Sequence, residues 1–250
     1  MKLIKRKNLE VRKAYFLQAF DRTPEEMAIV SFGDCNYSCP YCKRDCQFYD
    51  DAGNVINTHD IKMSDLEALI DIEASKGRRI RLSGGDPAAY PSESLHIAQY
   101  VAEKFGQKIS IAHNGSSYGL VKSLVKYLDY VAIDFKAFYS DRLVKITGVT
   151  KPVMDQVKIL QLCEENGVLV DIRTPIFGDT TIEELKQIAK EISKFSNVFW
   201  TLRKYNKVQG CDFPVPEMDD VTHIAQAIKE EFPTLKIGTR NYWKGGFEIF

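Results

Sequence analysis

The chain has 250 residues, of which 44% are hydrophobic and 27% are charged, a composition that is ordinary for a globular protein. Its 34 Lys and Arg residues balance 34 Asp and Glu residues, so it lacks the basic excess expected of a duplex-binding surface. No apolar run approaches the roughly 20 residues of a membrane span, and no signal-peptide core follows the N-terminal charges. We therefore expect a cytoplasmic protein with neither a membrane anchor nor bulk nucleic-acid binding.

Seven short apolar runs recur along the chain, each followed by a segment with helical spacing. The runs are 27–33, 78–83, 108–113, 129–136, 168–176, 197–205 and 235–240. Most of them are continuously apolar, which is typical of parallel strands that are covered on both faces. Repeated strand–helix units predict a parallel sheet, either open and doubly wound or curled into a barrel. In both cases ligands bind at the carboxyl ends of the strands.

Two of the intervening segments begin with a capping-box pattern. Ser64 and Glu67 precede one amphipathic segment, and Thr181 and Glu184 precede another. In such a box the first side chain accepts from the backbone three residues on, and the acid reaches back. The pattern predicts that helices begin at these two positions.

Four of the six cysteines lie within twelve residues, directly after the first apolar run. Cys35, Cys39 and Cys42 have the spacing C-x3-C-x2-C, which lets one loop point several thiolates at one centre. Iron–sulfur clusters are held in this way, whereas zinc sites usually pair two C-x2-C motifs. Cys163 lies in a helical segment and is expected to be a buried apolar thiol. Cys211 lies in a turn-like stretch with no evident partner.

The stretch CNYSCPYC (35–42) resembles the radical S-adenosylmethionine signature, with Tyr41 as its aromatic residue. The resemblance implies that Cys35, Cys39 and Cys42 hold a 4Fe–4S cluster. It also implies that the fourth iron binds the amino and carboxylate groups of S-adenosylmethionine.

Further matches to this superfamily follow in order at successive strand ends. They are SGGDP (83–87), AHNG (112–115), IDFK (133–136) and VDIRTP (170–175), which resemble motifs of the glycyl-radical activating enzymes. The resemblance implies S-adenosylmethionine contacts from these motifs and from the signature aromatic. The implied contact residues are Tyr41, Gly84, Gly85, Asp86, Asn114, Asp134, Lys136 and Arg173.

Asp134 and Lys136 also stand out without the resemblance. They are two residues apart in an apolar run, so they share one face of the strand. Burying such charges is costly unless they are paired or ligated. A strand-end ion pair is the alternative to a cofactor contact.

The resemblance covers roughly residues 27–205. It implies an α/β fold, a partial (β/α)6 barrel of TIM type, with extensions at 1–26 and 206–250. It further implies that flavodoxin or ferredoxin supplies an electron for reductive cleavage of S-adenosylmethionine. The products are methionine and a 5′-deoxyadenosyl radical, which takes hydrogen from a substrate.

The nature of the substrate stays open. The motifs favour a glycine of a glycyl-radical enzyme partner, such as pyruvate formate-lyase or anaerobic ribonucleotide reductase. The DGPG-like stretch of those activases is replaced by DRTPEE (21–26), however, and Ala112 and His113 also depart from their pattern. A small anionic metabolite or nucleotide is the second candidate, with His113, Arg173, Arg203, Tyr205 and Arg240 as possible contacts. A non-catalytic iron–sulfur or zinc module is the third.

Cys46 follows Cys42 by four residues and could in principle close the cluster as a fourth ligand. A closed cluster would transfer electrons without binding S-adenosylmethionine, and the later motifs would then have no purpose. We therefore expect Cys46 to be dispensable.

Replacing Cys46 with Ala should leave about four iron atoms per chain after anaerobic reconstitution. Replacing Cys35, Cys39 or Cys42 with Ala should abolish the cluster, because each supplies a required thiolate. Iron analysis and electronic spectra of the four variants measure the difference. A loss of iron in the Cys46 variant as complete as in the other three would show that all four corners are closed.

Overall fold

The computed structural model describes residues 1–4, 8–42, 58–208, 210–241 and 246–250. In chain order, its strands and α-helices are β1 (Lys2–Ile4), β2 (Glu10–Lys13), β3 (Glu26–Phe32), β4 (Thr58–Asp60), α1 (Met63–Ala74), β5 (Arg79–Gly84), α2 (Pro91–Phe105), β6 (Ile109–His113), α3 (Tyr118–Leu124), β7 (Leu128–Asp134), α4 (Ser140–Thr147), α5 (Gln156–Glu165), β8 (Leu169–Ile176), α6 (Ile182–Ile192), β9 (Val198–Lys204), α7 (Met218–Glu231), β10 (Lys236–Asn241) and β11 (Phe247–Ile249).

All seven apolar runs form neighbouring parallel strands, as predicted. Within the described residues the parallel order is β3-β5-β6-β7-β8-β9-β10. The antiparallel strands β1 and β2 flank β3, and β11 flanks β10. The α/β fold class is therefore confirmed. The segment 206–250, predicted as an extension, adds α7 and a seventh parallel strand to the same sheet.

Alternate residues of the strands face outward and build the main core against the helices. From β9, Trp200 and Leu202 belong to this core and are fully buried. The indole Nε1 of Trp200 donates to Thr174 Oγ1 at 2.9 Å, so its one polar atom is satisfied within the core. Cys163 is also fully buried in this core, and burial raises its pKa to about 12, as expected of an apolar thiol.

The amino-terminal end of the barrel interior is closed by an apolar cluster. A short 3₁₀-helix at Tyr15–Phe20 places Phe16 and Leu17 against Met27, Tyr130 and Phe199, which lie near the starts of their strands. The N-terminal segment therefore seals the end of the barrel that is opposite to the ligand-binding end. Polar interior residues are left at the carboxyl ends.

Among the described residues neither predicted capping box is complete, and one of the two predicted helix starts is wrong. Helix α1 begins at Met63, so Ser64 lies inside the first turn, and Glu67 instead contacts His96 Nε2 at 2.6 Å. At α6 the cap is confirmed, since the Thr181 side chain accepts from Glu184 N. The Glu184 carboxylate accepts from Phe138 N at 3.0 Å. Glu67 and Glu184 therefore bind residues of neighbouring elements instead of closing a capping box on their own helices.

None of the described helices combines the length and the apolar content needed to cross a membrane.

Two glycines let the end of β5 lie directly against the chain that leaves β3. Gly84 has φ +102°, and a Cβ there would lie 2.3 Å from Phe32 N. A Cβ on Gly85 would lie 2.0 Å from Asp34 O, and Gly85 N donates to Phe32 O at 2.7 Å. The segment that precedes Cys35 is therefore held by backbone contacts that no larger residue permits.

Replacing Gly84 with Ala should destabilise the protein by several kcal/mol, about 1–2 for the positive φ and about 1–3 for the clash. Gly106 is a matched control, because it has φ +62° and nothing within 4 Å of a built Cβ. Urea denaturation of both variants should therefore show a markedly smaller loss for Gly106→Ala. Equal losses would mean that the contact with Phe32 is easily relaxed.

Candidate active site

The three predicted cluster ligands lie in the loop after β3 and line a cavity at the carboxyl ends of the parallel strands. The cavity has a volume of about 170 Å³ and is open to solvent. Its walls also contain all the other predicted cofactor residues, which are Tyr41, Gly84, Gly85, Asp86, Asn114, Asp134, Lys136 and Arg173. Residues up to 138 positions apart in the sequence, from Cys35 to Arg173, are thus brought to one cavity.

The start of the cysteine loop is held by side chains from the end of β6. The Asn114 amide donates to Asn36 Oδ1 at 2.7 Å and to Cys35 Sγ at 3.8 Å. Asn36 in turn donates to Ser116 Oγ at 2.7 Å. The backbone N–H of Tyr37 points at Cys35 Sγ at 3.4 Å. These donors favour a thiolate sulfur, but desolvation and then the charge of Asp86 outweigh them and raise the pKa of Cys35 to about 12.

Asp86 is buried, and both oxygens of its carboxylate accept hydrogen bonds from the protein. Oδ1 accepts from Ala88 N at 2.8 Å and lies 2.7 Å from His113 Nδ1, while Oδ2 accepts from Asn114 N at 2.8 Å. The backbone N–H of Ser117 donates to His113 Nε2 at 3.0 Å, so the neutral imidazole carries its proton on Nδ1 and donates it to Asp86. Asp86 and His113 therefore position the ends of β5 and β6.

Lys136 and Asp134 form the predicted pair at the end of β7, with Nζ and Oδ2 2.5 Å apart. Burial by itself would lower the pKa of Lys136, but the Asp134 carboxylate raises it well above its usual value. Burial opposes ionisation of Asp134 too, yet the Lys136 ammonium holds the pKa of Asp134 below its usual value. Both groups are thus charged at neutral pH.

The signature aromatic, Tyr41, packs into a cluster at the mouth of the cavity. Its ring lies 5.1 Å from Phe177, 6.2 Å from Phe213 and 6.3 Å from Tyr205, measured between ring centroids. Lys136 Nζ lies 5.7 Å from the Tyr41 ring centroid. Cys211 is buried in the same cluster. The cluster fixes the second half of the cysteine loop next to Lys136.

Arg173 enters the cavity from β8. Its Nε donates to Asp171 Oδ2 at 2.7 Å, and Thr201 Oγ1 donates to Asp171 Oδ1 at 2.5 Å. The guanidinium of Arg173 is therefore oriented by a buried carboxylate, with its side chain 14% exposed.

The cysteine loop, Lys136 and the strand-end motifs all lie within a part of the chain that matches one protein family. The model of the radical SAM superfamily matches residues 29–192. The chain belongs to this superfamily.

Curated relatives of this radical SAM protein have named activities. A protein of Methanocaldococcus jannaschii named as a glycyl-radical enzyme activating enzyme is 27% identical over 244 residues, 93% of this chain and 96% of the relative. The 7-carboxy-7-deazaguanine synthase of the same organism is 22% identical and covers 68% of this chain and 71% of its own. The pyruvate formate-lyase-activating enzyme of Clostridium pasteurianum is 26% identical and covers 74% of both chains. The predicted resemblance to activating enzymes is confirmed.

Solved structures show the same fold. Streptococcus suis SuiB bound to S-adenosylmethionine superposes with a TM-score of 0.69 at 15% identity. The match covers 86% of this chain and 50% of SuiB, so the present chain spans about half the length of that protein. The partial barrel predicted for the radical SAM core is thereby confirmed.

The residues of this cavity fit an iron–sulfur cluster with S-adenosylmethionine beside it. Burial raises the pKa of Cys39 to about 11, so its sulfur becomes a thiolate at neutral pH only when a cationic centre binds it. In the described part of the chain, no three His, Cys, Asp or Glu side chains are placed to share one metal ion. Cys46 lies outside the described residues, so its dispensability stays a prediction.

Sequence reasoning missed Arg81, which is buried in the barrel interior with 3% exposure. It lies in the second apolar run, where Arg79, Arg81 and Ser83 alternate with Ile80 and Leu82. This alternation indicates that Arg81 shares one face of the strand with Arg79 and Ser83, because every second residue points to the same side. The neighbouring runs are continuously apolar and do not show which face of the sheet is the interior.

Replacing Asp86 with Asn should destabilise even the iron-free protein by about 1–3 kcal/mol, because an amide nitrogen would face a buried donor that has lost its acceptor. Asp155→Asn is the control. Its amide oxygen can still accept from Tyr118 N, and its other partner is the exposed Lys158. Urea denaturation should show a clearly smaller loss for the control. A harmless Asp86 change would contradict the positioning role.

Proposed function

We propose that this chain binds a 4Fe–4S cluster through Cys35, Cys39 and Cys42 and cleaves S-adenosylmethionine reductively. The observation that carries the proposal is the convergence of this cysteine loop with a buried, charged lysine on one cavity. One-electron cleavage of S-adenosylmethionine to methionine and a 5′-deoxyadenosyl radical is the chemistry that the bound groups supply. A flavodoxin or a ferredoxin is the proposed electron donor.

The residues of the chain bind and orient the cofactor. Lys136 keeps its ammonium charge in a buried position, which suits the carboxylate of the methionine moiety. The strand end at Gly84 and Gly85 offers backbone carbonyls to its amino group. Arg173 is available for the same carboxylate or for a substrate anion.

The walls of the cavity also protect the reaction. Tyr41 and Tyr205 line the cavity beside the cysteine loop, and both belong to an aromatic cluster with Phe177 and Phe213. Excluding water and holding the substrate close both matter, because a carbon radical takes hydrogen from whatever it meets.

The first candidate substrate is a glycine in a glycyl-radical enzyme. The names of two relatives, in Methanocaldococcus jannaschii and Clostridium pasteurianum, support it. In this case the partner protein would present its glycine at the cavity mouth, and the product would be a stable glycyl radical in that partner.

The second candidate is a small anionic metabolite. A specific observation favours it, since Arg173 and Arg203 both line the cavity. The name of the remaining relative, 7-carboxy-7-deazaguanine synthase, also denotes a small carboxylated product.

Anaerobically reconstituted and reduced protein should convert S-adenosylmethionine to 5′-deoxyadenosine and methionine, as measured by chromatography. Lys136→Met should weaken S-adenosylmethionine binding at least about tenfold, since removing one charge-assisted contact costs about 1.4 kcal/mol or more. The control is Lys194→Met, whose ammonium lies on the surface and pairs with Glu191.

Full iron loading without any 5′-deoxyadenosine would contradict the proposed cleavage of S-adenosylmethionine and favour a non-catalytic iron–sulfur module. Zinc in place of iron would indicate a zinc module. Equal S-adenosylmethionine affinities for the two lysine variants would remove Lys136 from the binding site while leaving the reaction itself in place.

A further inference from the structure

Four arginines from four strands face the interior of the barrel. They are Arg81 on β5, Arg173 on β8, Arg203 on β9 and Arg240 on β10. Arg203 and Arg240 are register partners on adjacent parallel strands, so their side chains leave the sheet on the same face. Arg203 lines the cavity, which identifies that face as the interior. We call these four residues the arginine chamber.

The chamber holds more cationic than anionic side chains. Asp171 accepts from Arg173 and Thr201, and Asp134 is held by Lys136. In the ranges that the structure describes, Arg173 forms an ion pair with Asp171, whereas Arg81 and Arg240 take part in no ion pair. Arg81 is buried, and a buried charge without a partner is strongly destabilising.

Arg81 shows that cost most clearly. Its guanidinium donates to Met27 Sδ at 3.1 Å and to Ile111 O at 3.5 Å, two weak acceptor contacts for a group with five N–H donors. Burial, and next the charge of Arg173, lower the pKa of Arg81 to about 9. Burial and the charge of Arg173 also lower the pKa of Arg240. The guanidinium groups are therefore close enough to repel one another.

Unpartnered hydroxyls lie beside Arg81. Ser110 is the register partner of Arg81, and Tyr130 is the register partner of Ser110. Both are fully buried, and among the described residues neither Ser110 Oγ nor Tyr130 Oη has a hydrogen-bond partner. On β3, Ser31 is the register partner of the cavity residue Ser83, and among the described residues its Oγ also has no hydrogen-bond partner. The chamber thus offers neutral donors as well as cations.

We propose that the arginine chamber binds an anionic group, a carboxylate or a phosphate, of a small substrate that enters the barrel. The proposal rests on the proposed function and selects the second of its two substrate classes. An anion held between these guanidinium groups would relieve the repulsion that Arg173 and Arg203 exert on Arg81 and that Arg173 exerts on Arg240.

Anion binding is testable on the reconstituted full chain without a reductant. Titration calorimetry with inorganic phosphate and with malonate, at constant ionic strength against chloride, should show binding to the unmodified chain. Arg203→Gln and Arg240→Gln should each weaken it at least about tenfold, because each removes a charge-assisted hydrogen bond. Arg78→Gln is the matched control, since Arg78 pairs with Glu26 and Glu73 outside the barrel. A preference for phosphate or for malonate would identify the substrate group.

Several outcomes would overturn the proposal. One is the absence of both phosphate and malonate binding by the unmodified chain. Another is binding that survives unchanged in Arg203→Gln and Arg240→Gln. If either Gln variant fails to fold, Arg203→Lys and Arg240→Lys keep the charge and should lose affinity through the missing bidentate geometry.

The two levels of the hypothesis fail separately. Formation of 5′-deoxyadenosine without anion binding would leave the proposed radical chemistry in place and favour a glycine of a partner protein. Anion binding at the chamber without formation of 5′-deoxyadenosine would support the anion site and contradict the proposed radical chemistry.

Discussion

The architecture of the site depends on one buried carboxylate. Asp86 accepts from the backbone of Ala88 and Asn114 and from the His113 ring, so it joins the end of β5 to the end of β6. Asn114 then reaches Asn36 and Cys35 in the loop after β3. Three strand ends are thus fixed by one side chain. A carboxylate can do this because it offers several acceptor positions and no donor.

Close packing of backbone completes that arrangement. Gly84 and Gly85 allow β5 to lie against Phe32 and Asp34, immediately before the first cysteine. The motif around these glycines is therefore structural as well as cofactor-binding in its implied role. Its side-chain-free surface faces the neighbouring protein backbone, whereas its carbonyls are the groups proposed for the cofactor.

The barrel interior divides chemically along its axis. At the amino ends of the strands, Phe16, Leu17, Met27, Tyr130 and Phe199 form an apolar closure. Towards the carboxyl ends lie the arginine chamber, then Lys136 with Asp134 and the cysteine loop. In a site of this kind the cofactor chemistry is common to the superfamily, so the charges deeper in the barrel are where substrate preference can be encoded. The proposed preference for an anionic reactant rests on the guanidinium groups of this interior.

Local sequence patterns determined the strands, the position of the cysteine loop and the order of the motifs, because run length, apolar content and spacing are properties of neighbouring residues. The seven parallel strands and the cap at Thr181 follow from them. Tertiary structure alone decided that Asp86 binds His113, that Asn114 contacts Cys35, and that Arg203 stands beside Arg240. It also moved the start of α1 away from Ser64. These features depend on strand register and on packing between distant segments, which no local pattern specifies.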